Sequence, residues 1–277
     1  MAKVRLCLSL AVGLAVVATA PALAQGVIVG DPAATGEPVA SAEIDRAIAA
    51  SATSDVADPW EGFNRKMFGA HMFLDRTLLV PAAKGYRATT PKSGRRGIRR
   101  FLSNLRAPGV FVNDLLQGEF SRAGETLSRF VVNSTIGAGG FADPAAQLGV
   151  SAHGEDFGQT LAVWGVESGP YLFVPLLGPS SGRDAFGSVV EIGLNPLLYV
   201  RTDAASIARL STAGVGGISA REQFLDPLAE IEAKSLDFYA SYRSFYTQAR
   251  KREIANGAVD YSDLPDIGEF EEFDDLE

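Results

Sequence analysis

Large apolar residues recur at helical spacing along much of this chain. Residues 110–136 carry them three or four positions apart, and residues 221–254 repeat the pattern before a basic end. This period predicts amphipathic helical stretches. The positions concerned are Val112, Leu115, Leu116, Phe120, Ala123, Leu127, Phe130 and Val131, followed by Phe224, Leu228, Ile231, Leu236, Phe238 and Tyr239.

Strand-like alternation is scarce by comparison. The best candidate is a short hairpin between Trp164 and Pro175, interrupted by Gly165, Gly169 and Pro170. We therefore predict an all-α single domain of amphipathic helices with glycine-rich breaks and at most one short hairpin.

The first helix is predicted to begin at Asp58, with Pro59 at the first helical position and Glu61 three residues after the cap. Residues 63–74, and also residues 186–192, place large side chains on every helix face. Such a helix lies either in the centre of a globule or partly in lipid, and composition alone favours the buried core. Because no later stretch offers the roughly 18 uncharged apolar residues of a spanning helix, the membrane alternative is a helix lying in one leaflet.

The chain is predicted to have four segments. Residues 1–24 are typical of a secretory signal peptide, with Lys3 and Arg5 before the apolar stretch and Ala22-Leu23-Ala24 as the cleavage signal. The single cysteine, Cys7, lies within this peptide, too early and too close to an arginine for lipid attachment. We therefore expect an exported, cysteine-free and unlipidated mature protein. It consists of a flexible leader (25–57), a domain (58–256) and a disordered acidic tail (257–277).

Charge is segregated within a formal net charge of −8. From Asp260 to Glu277 there are nine acidic residues and no basic ones, whereas Lys84 to Arg106 contains eight basic residues and no acidic ones. An exported protein does not meet genomic DNA, so no nucleic-acid partner is expected. The basic stretch then either meets anionic lipid headgroups or an acidic partner, or forms a solvated helix face with counterions.

No catalytic or cofactor motif is complete in the sequence. Residues 178–182, Gly-Pro-Ser-Ser-Gly, have the G-x-S-x-G spacing, but Ser180 and Ser181 lack a convincing base, and there is no phosphate loop and no H-E-x-x-H. Residues 137–140 are glycine-rich, but they lack the third spaced glycine and the preceding alternating strand of a dinucleotide site. His153 near Glu155 and Asp156 suggests a metal ligand or a general base, although residues 151–158 are simpler to interpret as a polar loop and helix start. We therefore predict no catalytic residues, no metal and no cofactor, and expect a protein that is not an enzyme.

Residues 58–65, Asp-Pro-Trp-Glu-Gly-Phe-Asn-Arg, resemble the opening motif of the MlaA (VacJ) family of outer-membrane phospholipid-transport proteins. The resemblance continues in order, at family-like spacing, over roughly residues 58–256. The matching motif residues are Asp58, Pro59, Glu61, Asn64, Arg65, Asn104, Asn113, Gln117, Gly118, Asn133, Asp156, Phe157, Gly158, Arg183 and Asp184.

This resemblance implies a ring of amphipathic helices in the periplasmic leaflet of the outer membrane, around a central channel. Such a protein takes mislocalised phospholipids from the outer leaflet and passes them to a soluble periplasmic carrier, with a trimeric outer-membrane porin as partner. Its gating loop at the channel mouth falls on Gly165, Gly169, Pro170 and Tyr171 of this chain. Glu167 stands where the family often has glycine, and the lipid-attachment cysteine common in the family has no counterpart here.

Structural alternatives accompany these functional interpretations. Asn64, Asn104, Asn113 and Asn133 either line a polar channel or act as helix caps and turn residues, and capping is the commoner use of asparagine near helix ends. For Arg183-Asp184, an internal ion pair or a helix start is expected rather than a lipid contact. The alternative for the whole chain is a periplasmic helical binding or scaffold protein without a channel. A lipid hydrolase is a third possibility, but it needs a nucleophile and a base that the sequence does not supply.

Overall fold

The computed structural model describes residues 58–194 and 203–256, with side chains for 58–193 and 213–256. The predicted signal peptide, leader and acidic tail lie outside these ranges. In chain order the elements are α1 (Glu61–Leu74), a π-helical turn (Asp75–Leu79), α2 (Val80–Thr89), α3 (Lys92–Gln117), α4 (Phe120–Thr135), α5 (Pro144–Gln147), α6 (Phe157–Val163), β1 (Tyr171–Val174), β2 (Gly178–Ser181), α7 (Gly182–Leu194), α8 (Asp203–Gln223), α9 (Leu225–Lys234) and α10 (Phe238–Ile254). Over the described ranges, the predicted all-α domain with one short hairpin is confirmed.

The hairpin is displaced from its predicted position. Its strands pair antiparallel, with Tyr171 opposite Ser181, so only β1 falls between Trp164 and Pro175. The reason lies in a helix far away in sequence: the Asn64 side chain on α1 donates to the Tyr171 carbonyl at 3.0 Å and accepts from the Phe173 N–H at 2.9 Å. These bonds fix where the strand begins.

The predicted capping start of α1 is wrong. The residue at the N-cap is Trp60, and no side chain caps this end of the helix. The Asp58 carboxylate instead accepts hydrogen bonds from Asn64 Nδ2 at 2.8 Å, from the Arg243 guanidinium at 3.1 Å and from the Tyr239 hydroxyl. Asp58 therefore ties the start of the domain to α10, its last helix.

The apolar stretch 110–136 forms parts of two helices rather than a single run. Gly118 adopts φ +82°, a left-handed conformation that glycine reaches without strain, and this ends α3. Contacts between α3 and α4 join Asp114 to Thr126 and Asn104 to Ser134, so the helices run antiparallel.

A compact aromatic core joins α1, the hairpin, α9 and α10. Phe68 packs edge-to-face on Phe173 at 5.3 Å between ring centroids, a favoured aromatic geometry. The predicted 221–254 stripe is buried here in part, although Leu236 is fully exposed. The buried members are Phe68, Tyr171, Phe173, Phe224, Ile231, Tyr239, Tyr242, Phe245, Tyr246 and Ala249.

Candidate functional site

Helices α3 and α4 turn large apolar side chains toward the outside. On α3, Leu105, Val112 and Leu116 follow one another at helical spacing, and all are exposed. On α4 the pattern repeats, and Phe120 at its start is 72% exposed. The apolar stripe predicted from sequence thus exists on both helices, but it faces away from the protein.

Other elements also expose large apolar side chains, and α7 adds three. We call the set the apolar belt; it comprises Leu105, Val112, Leu115, Leu116, Phe120, Leu127, Val131, Ile136, Phe186, Val189 and Ile192. Burying a large apolar side chain is worth about 1.5–3 kcal/mol, so this many exposed apolar side chains favour an interaction with a membrane or a partner. Within the described ranges, no helix combines the length and apolar character needed to cross a bilayer.

The interior, in contrast, is rich in charge. Arg250 on α10 contacts Asp156 at 2.8 Å and Asp184 at 2.9 Å, and the Tyr246 hydroxyl donates to Asp184 at 2.8 Å. Burial alone raises the pKa of Asp184, but the neighbouring Arg250 outweighs it and brings that pKa to about 2. Arg250 and its carboxylate partners therefore form a buried ion-paired cluster beside the aromatic core.

Several predicted motif residues assemble around Arg250. Asp156 is the N-cap of α6 and accepts from the Gln159 N–H at 2.8 Å, which confirms the polar loop and helix start predicted for residues 151–158. A Cβ on Gly158 would lie 2.6 Å from Arg250 Nη2, so only glycine allows this approach. Arg183 pairs with Asp184 at 3.1 Å at the start of α7, which confirms the ion pair and helix start expected for these two residues.

The four asparagines are buried inside helices, so the capping interpretation is wrong for their own helices. Asn64 joins α1 to β1, and Asn104 donates to Ser134 Oγ at 2.9 Å. Asn113 accepts from the Thr160 hydroxyl at 2.8 Å. Asn133 comes closest to the expected role, since its side chain accepts from the backbone N–H of Ala145 in the first turn of α5. These bonds tie separate elements together.

A second polar cluster lies where α3, α4 and α6 meet. Gln117 donates to Glu155 at 2.9 Å, and Arg122 pairs with the same carboxylate at 2.6 Å. His153 Nε2 lies 3.0 Å from Asp114, which also accepts from the Thr126 hydroxyl. In the part of the chain that the structure describes, no group of His, Cys, Asp and Glu side chains is arranged to hold a metal ion.

The predicted gating loop is an exposed segment, 164–170, between α6 and β1. Gly165 and Gly169 both have positive φ, +87° and +67°. Trp164, the first residue of the loop, is held in place because its indole N–H donates to the Leu116 carbonyl at 3.0 Å. Tyr171 lies outside the loop, because it is the first residue of β1 and is buried in the aromatic core.

The loop faces the start of the domain. Pro59 lines an open cleft of about 590 Å³ together with Glu167, Ser168, Gly169 and Pro170.

The remaining motif residues, Glu61, Arg65 and Phe157, also take part in ion pairs and hydrogen bonds. Arg65 pairs with Glu61 at 2.7 Å and with Asp237, and its guanidinium lies 4.6 Å from the Tyr239 ring centroid. The Phe157 N–H donates to the Glu191 carboxylate at 2.7 Å.

Three of the eight basic residues in the stretch 84–106 form ion pairs with a buried carboxylate. Glu222 on α8 is 4% exposed and accepts ion pairs from Arg87, Arg95 and Arg99. These arginines are therefore neither a solvated face nor free to meet headgroups. The sequence analysis missed both Glu222 and Arg250, because their partners lie about a hundred residues away and no local pattern marks them.

The sequence of this chain is similar to those of known proteins. A sequence model of the family described as MlaA lipoprotein matches residues 56–253. The intermembrane phospholipid transport system lipoprotein MlaA of Escherichia coli is 35% identical over 205 residues, covering 73% of this chain and 79% of that protein. The Haemophilus influenzae protein of the same name is 31% identical over 220 residues, 77% of this chain and 86% of that protein. An uncharacterized protein of Rickettsia bellii is 35% identical over 201 residues, 72% of this chain and 78% of its own length.

A solved structure is also similar to this chain. It comes from work on the structural basis for maintenance of bacterial outer membrane lipid asymmetry and matches with a TM-score of 0.62 and 35% sequence identity. The match covers 72% of this chain and 100% of that one. The family resemblance noted in the sequence is confirmed, and this chain belongs to the MlaA lipoprotein family.

Proposed function

We propose that this protein is the outer-membrane component of an intermembrane phospholipid transport system. In this role it removes mislocalised phospholipids from the outer leaflet and so maintains lipid asymmetry. It acts by binding and passing on lipid, without a covalent step, and is a transport component rather than an enzyme. Family membership and the names of its relatives support the assignment.

The observation that carries the proposal is the apolar belt on the outside together with charged clusters buried inside. Helices with one lipid-facing side and one polar side lie in the plane of a membrane leaflet. The belt gives α3, α4 and α7 such a side, and the polar face of α3 turns toward other helices. A periplasmic scaffold protein would have to leave this surface in water, so the alternative is disfavoured.

The apolar belt is the surface through which the protein would contact the membrane. The Escherichia coli and Haemophilus influenzae relatives are named lipoproteins. A single acyl chain contributes only marginal, reversible binding, so an exposed apolar surface adds to membrane attachment. We further propose a trimeric outer-membrane porin and a soluble periplasmic carrier as partners.

Deleting the gene tests the function directly. We expect phospholipid to accumulate in the outer leaflet, measured by labelling surface phosphatidylethanolamine with an impermeant amine reagent. Complementation with the full chain is expected to reverse this accumulation of phospholipid. Unchanged labelling in the deletion strain would refute the transport role. Extraction of the protein by carbonate, without detergent, would favour the scaffold alternative.

We propose that the 164–170 loop gates lipid passage, as the family resemblance implies. Gly169→Pro is expected to abolish complementation at normal protein level, because proline requires φ near −65° whereas Gly169 has +67°, and the loop must rearrange. The exposed neighbour Glu167→Ala leaves the backbone unchanged and serves as the control. Wild-type leaflet labelling with Gly169→Pro would exclude the gate.

A further inference from the structure

One face of α3 carries a row of polar side chains. Arg95, Arg99, Arg106, Asn113 and Gln117 are separated by four, seven, seven and four residues, which places them along one side of the helix. We call this row the polar stripe. Leu105, Val112 and Leu116 of the apolar belt each directly precede a stripe residue, so the belt side of α3 lies about 100° around the helix from the stripe.

Both ends of the polar stripe pack against other helices. Toward the N-terminus, Arg95 and Arg99 pair with Glu222 on α8. Toward the C-terminus, Asn113 and Gln117 both contact the Thr160 hydroxyl on α6, at 2.8 and 3.2 Å. The stripe therefore faces the interior of the protein at both ends.

Arg106, between these ends, differs from its neighbours in the stripe. It is exposed, and within the described part of the chain its side chain makes no hydrogen bond and no ion pair. Its neighbours along the stripe are bonded to α8 in one direction and to α6 in the other. An exposed side chain on this inward side of α3, between two packed ends, lies in an opening between the helices. In agreement, burial lowers the pKa of Arg106, and Glu191 opposes this shift.

Glu191 is a poor counterion for this arginine. Its carboxylate already accepts from the Phe157 N–H at 2.7 Å and from Asn113 Nδ2 at 3.4 Å. Burial, together with Asp156, raises its pKa to about 7, so it is only partly ionised at neutral pH. Among the described residues the Arg106 charge has no matching anion, and it lies in surroundings where a charge-assisted bond is strong.

We propose that Arg106 binds the phosphate diester of a phospholipid headgroup inside the protein. The planar guanidinium suits bidentate binding of phosphate oxygens. The polar stripe supplies the polar side of the opening, while the acyl chains stay with apolar surface. This inference rests on the proposed function and adds to it the residue that recognises phosphate.

The test uses three ligands that separate the phosphate diester from the acyl chains. The full mature chain, purified in detergent, is incubated with dihexanoyl-phosphatidylglycerol, with dihexanoylglycerol, or with the deacylated diester glycerophosphoglycerol, and bound ligand is counted by native mass spectrometry. Arg106→Gln is expected to weaken phosphatidylglycerol binding by about tenfold or more, the size of a lost charge-assisted bond. Arg106→Lys should retain most binding. Arg96→Gln, an exposed arginine of the same helix outside the stripe, should bind as wild type.

The outcomes separate this inference from the proposed function. Equal phosphatidylglycerol binding by wild type and Arg106→Gln would overturn the role of Arg106 while leaving lipid transport intact. Binding of glycerophosphoglycerol as tight as that of the lipid would assign the site to free phosphate diesters and overturn the lipid assignment. Absence of both lipids from wild type would count against the proposed function itself. Unchanged dihexanoylglycerol binding by Arg106→Gln shows that the variant is folded.

Discussion

Replacing Arg250 with methionine is expected to lower the free energy of unfolding by about 3–5 kcal/mol, because it leaves buried carboxylates without their counterion. Arg250 is 6% exposed and pairs with Asp156, Asp184 and Glu253. Methionine keeps much of the side-chain volume, so the loss is mainly electrostatic. Thermal unfolding in detergent should show a decrease in Tm of roughly 10 °C.

The pH dependence of this variant identifies the cause. In wild type, the lowered pKa of Asp184 means that its ionised form stabilises the fold above pH 3.8, and that this contribution is lost as the pH falls toward 2. Without Arg250, burial is opposed only by Arg183 and Tyr246 at Asp184 and by the Gln159 N–H at Asp156, so the pKa of both carboxyl groups should rise. The stability deficit should therefore be smaller at pH 5 than at pH 8.

Two controls accompany the Arg250 experiment. Lys251→Ala removes an exposed cation from the same helix and should leave Tm nearly unchanged. The double variant with Arg250→Met and Asp184→Asn removes one of the carboxylates that lost their counterion, and it should recover part of the lost stability. A pH-independent deficit with no such recovery would contradict the electrostatic explanation.

Helical periodicity predicted the class of the fold but not the direction in which the stripes face. The stripes in 110–136 and 221–254 have the same spacing, yet Phe120 faces outward and Ile231 is buried. A hydrophobic period shows which residues share a helix face, while the medium on that side depends on the other elements. The end of α3 was detectable locally, since Gly118 in the left-handed conformation is a common helix stop.

The polar residues of the site were harder to interpret from sequence for a related reason. Asp58 stands where an N-cap is expected, and only the contacts with Tyr239 and Arg243, about 180 residues away, reveal its role. Family motifs identified Asn64, Asp156 and Gly158 as positions that matter. They gave no partner for any of them, because hydrogen bonds between distant segments leave no periodic trace in the chain.

Asn64→Ala is expected to destabilise the fold by about 3 kcal/mol, because it leaves the Tyr171 carbonyl and the Phe173 N–H without the partner that now satisfies them in the interior. The same change removes the 2.8 Å bond to Asp58, which anchors the start of the domain to α10. Since these contacts position β1 and the 164–170 loop precedes that strand, the loop is also expected to become more sensitive to limited proteolysis.

Two comparisons make the Asn64 prediction specific. Lys66→Ala, on the exposed side of α1, should change neither Tm nor the proteolysis pattern. Asn64→Asp keeps an acceptor for the Phe173 N–H but loses both amide donor bonds and places a second carboxylate beside Asp58, so it should be at least as unstable as Asn64→Ala. A variant Asn64→Asp as stable as wild type would mean that the acceptor alone holds the hairpin. A Tm of Asn64→Ala within about 1 °C of wild type would show that the hairpin is positioned by the aromatic core instead.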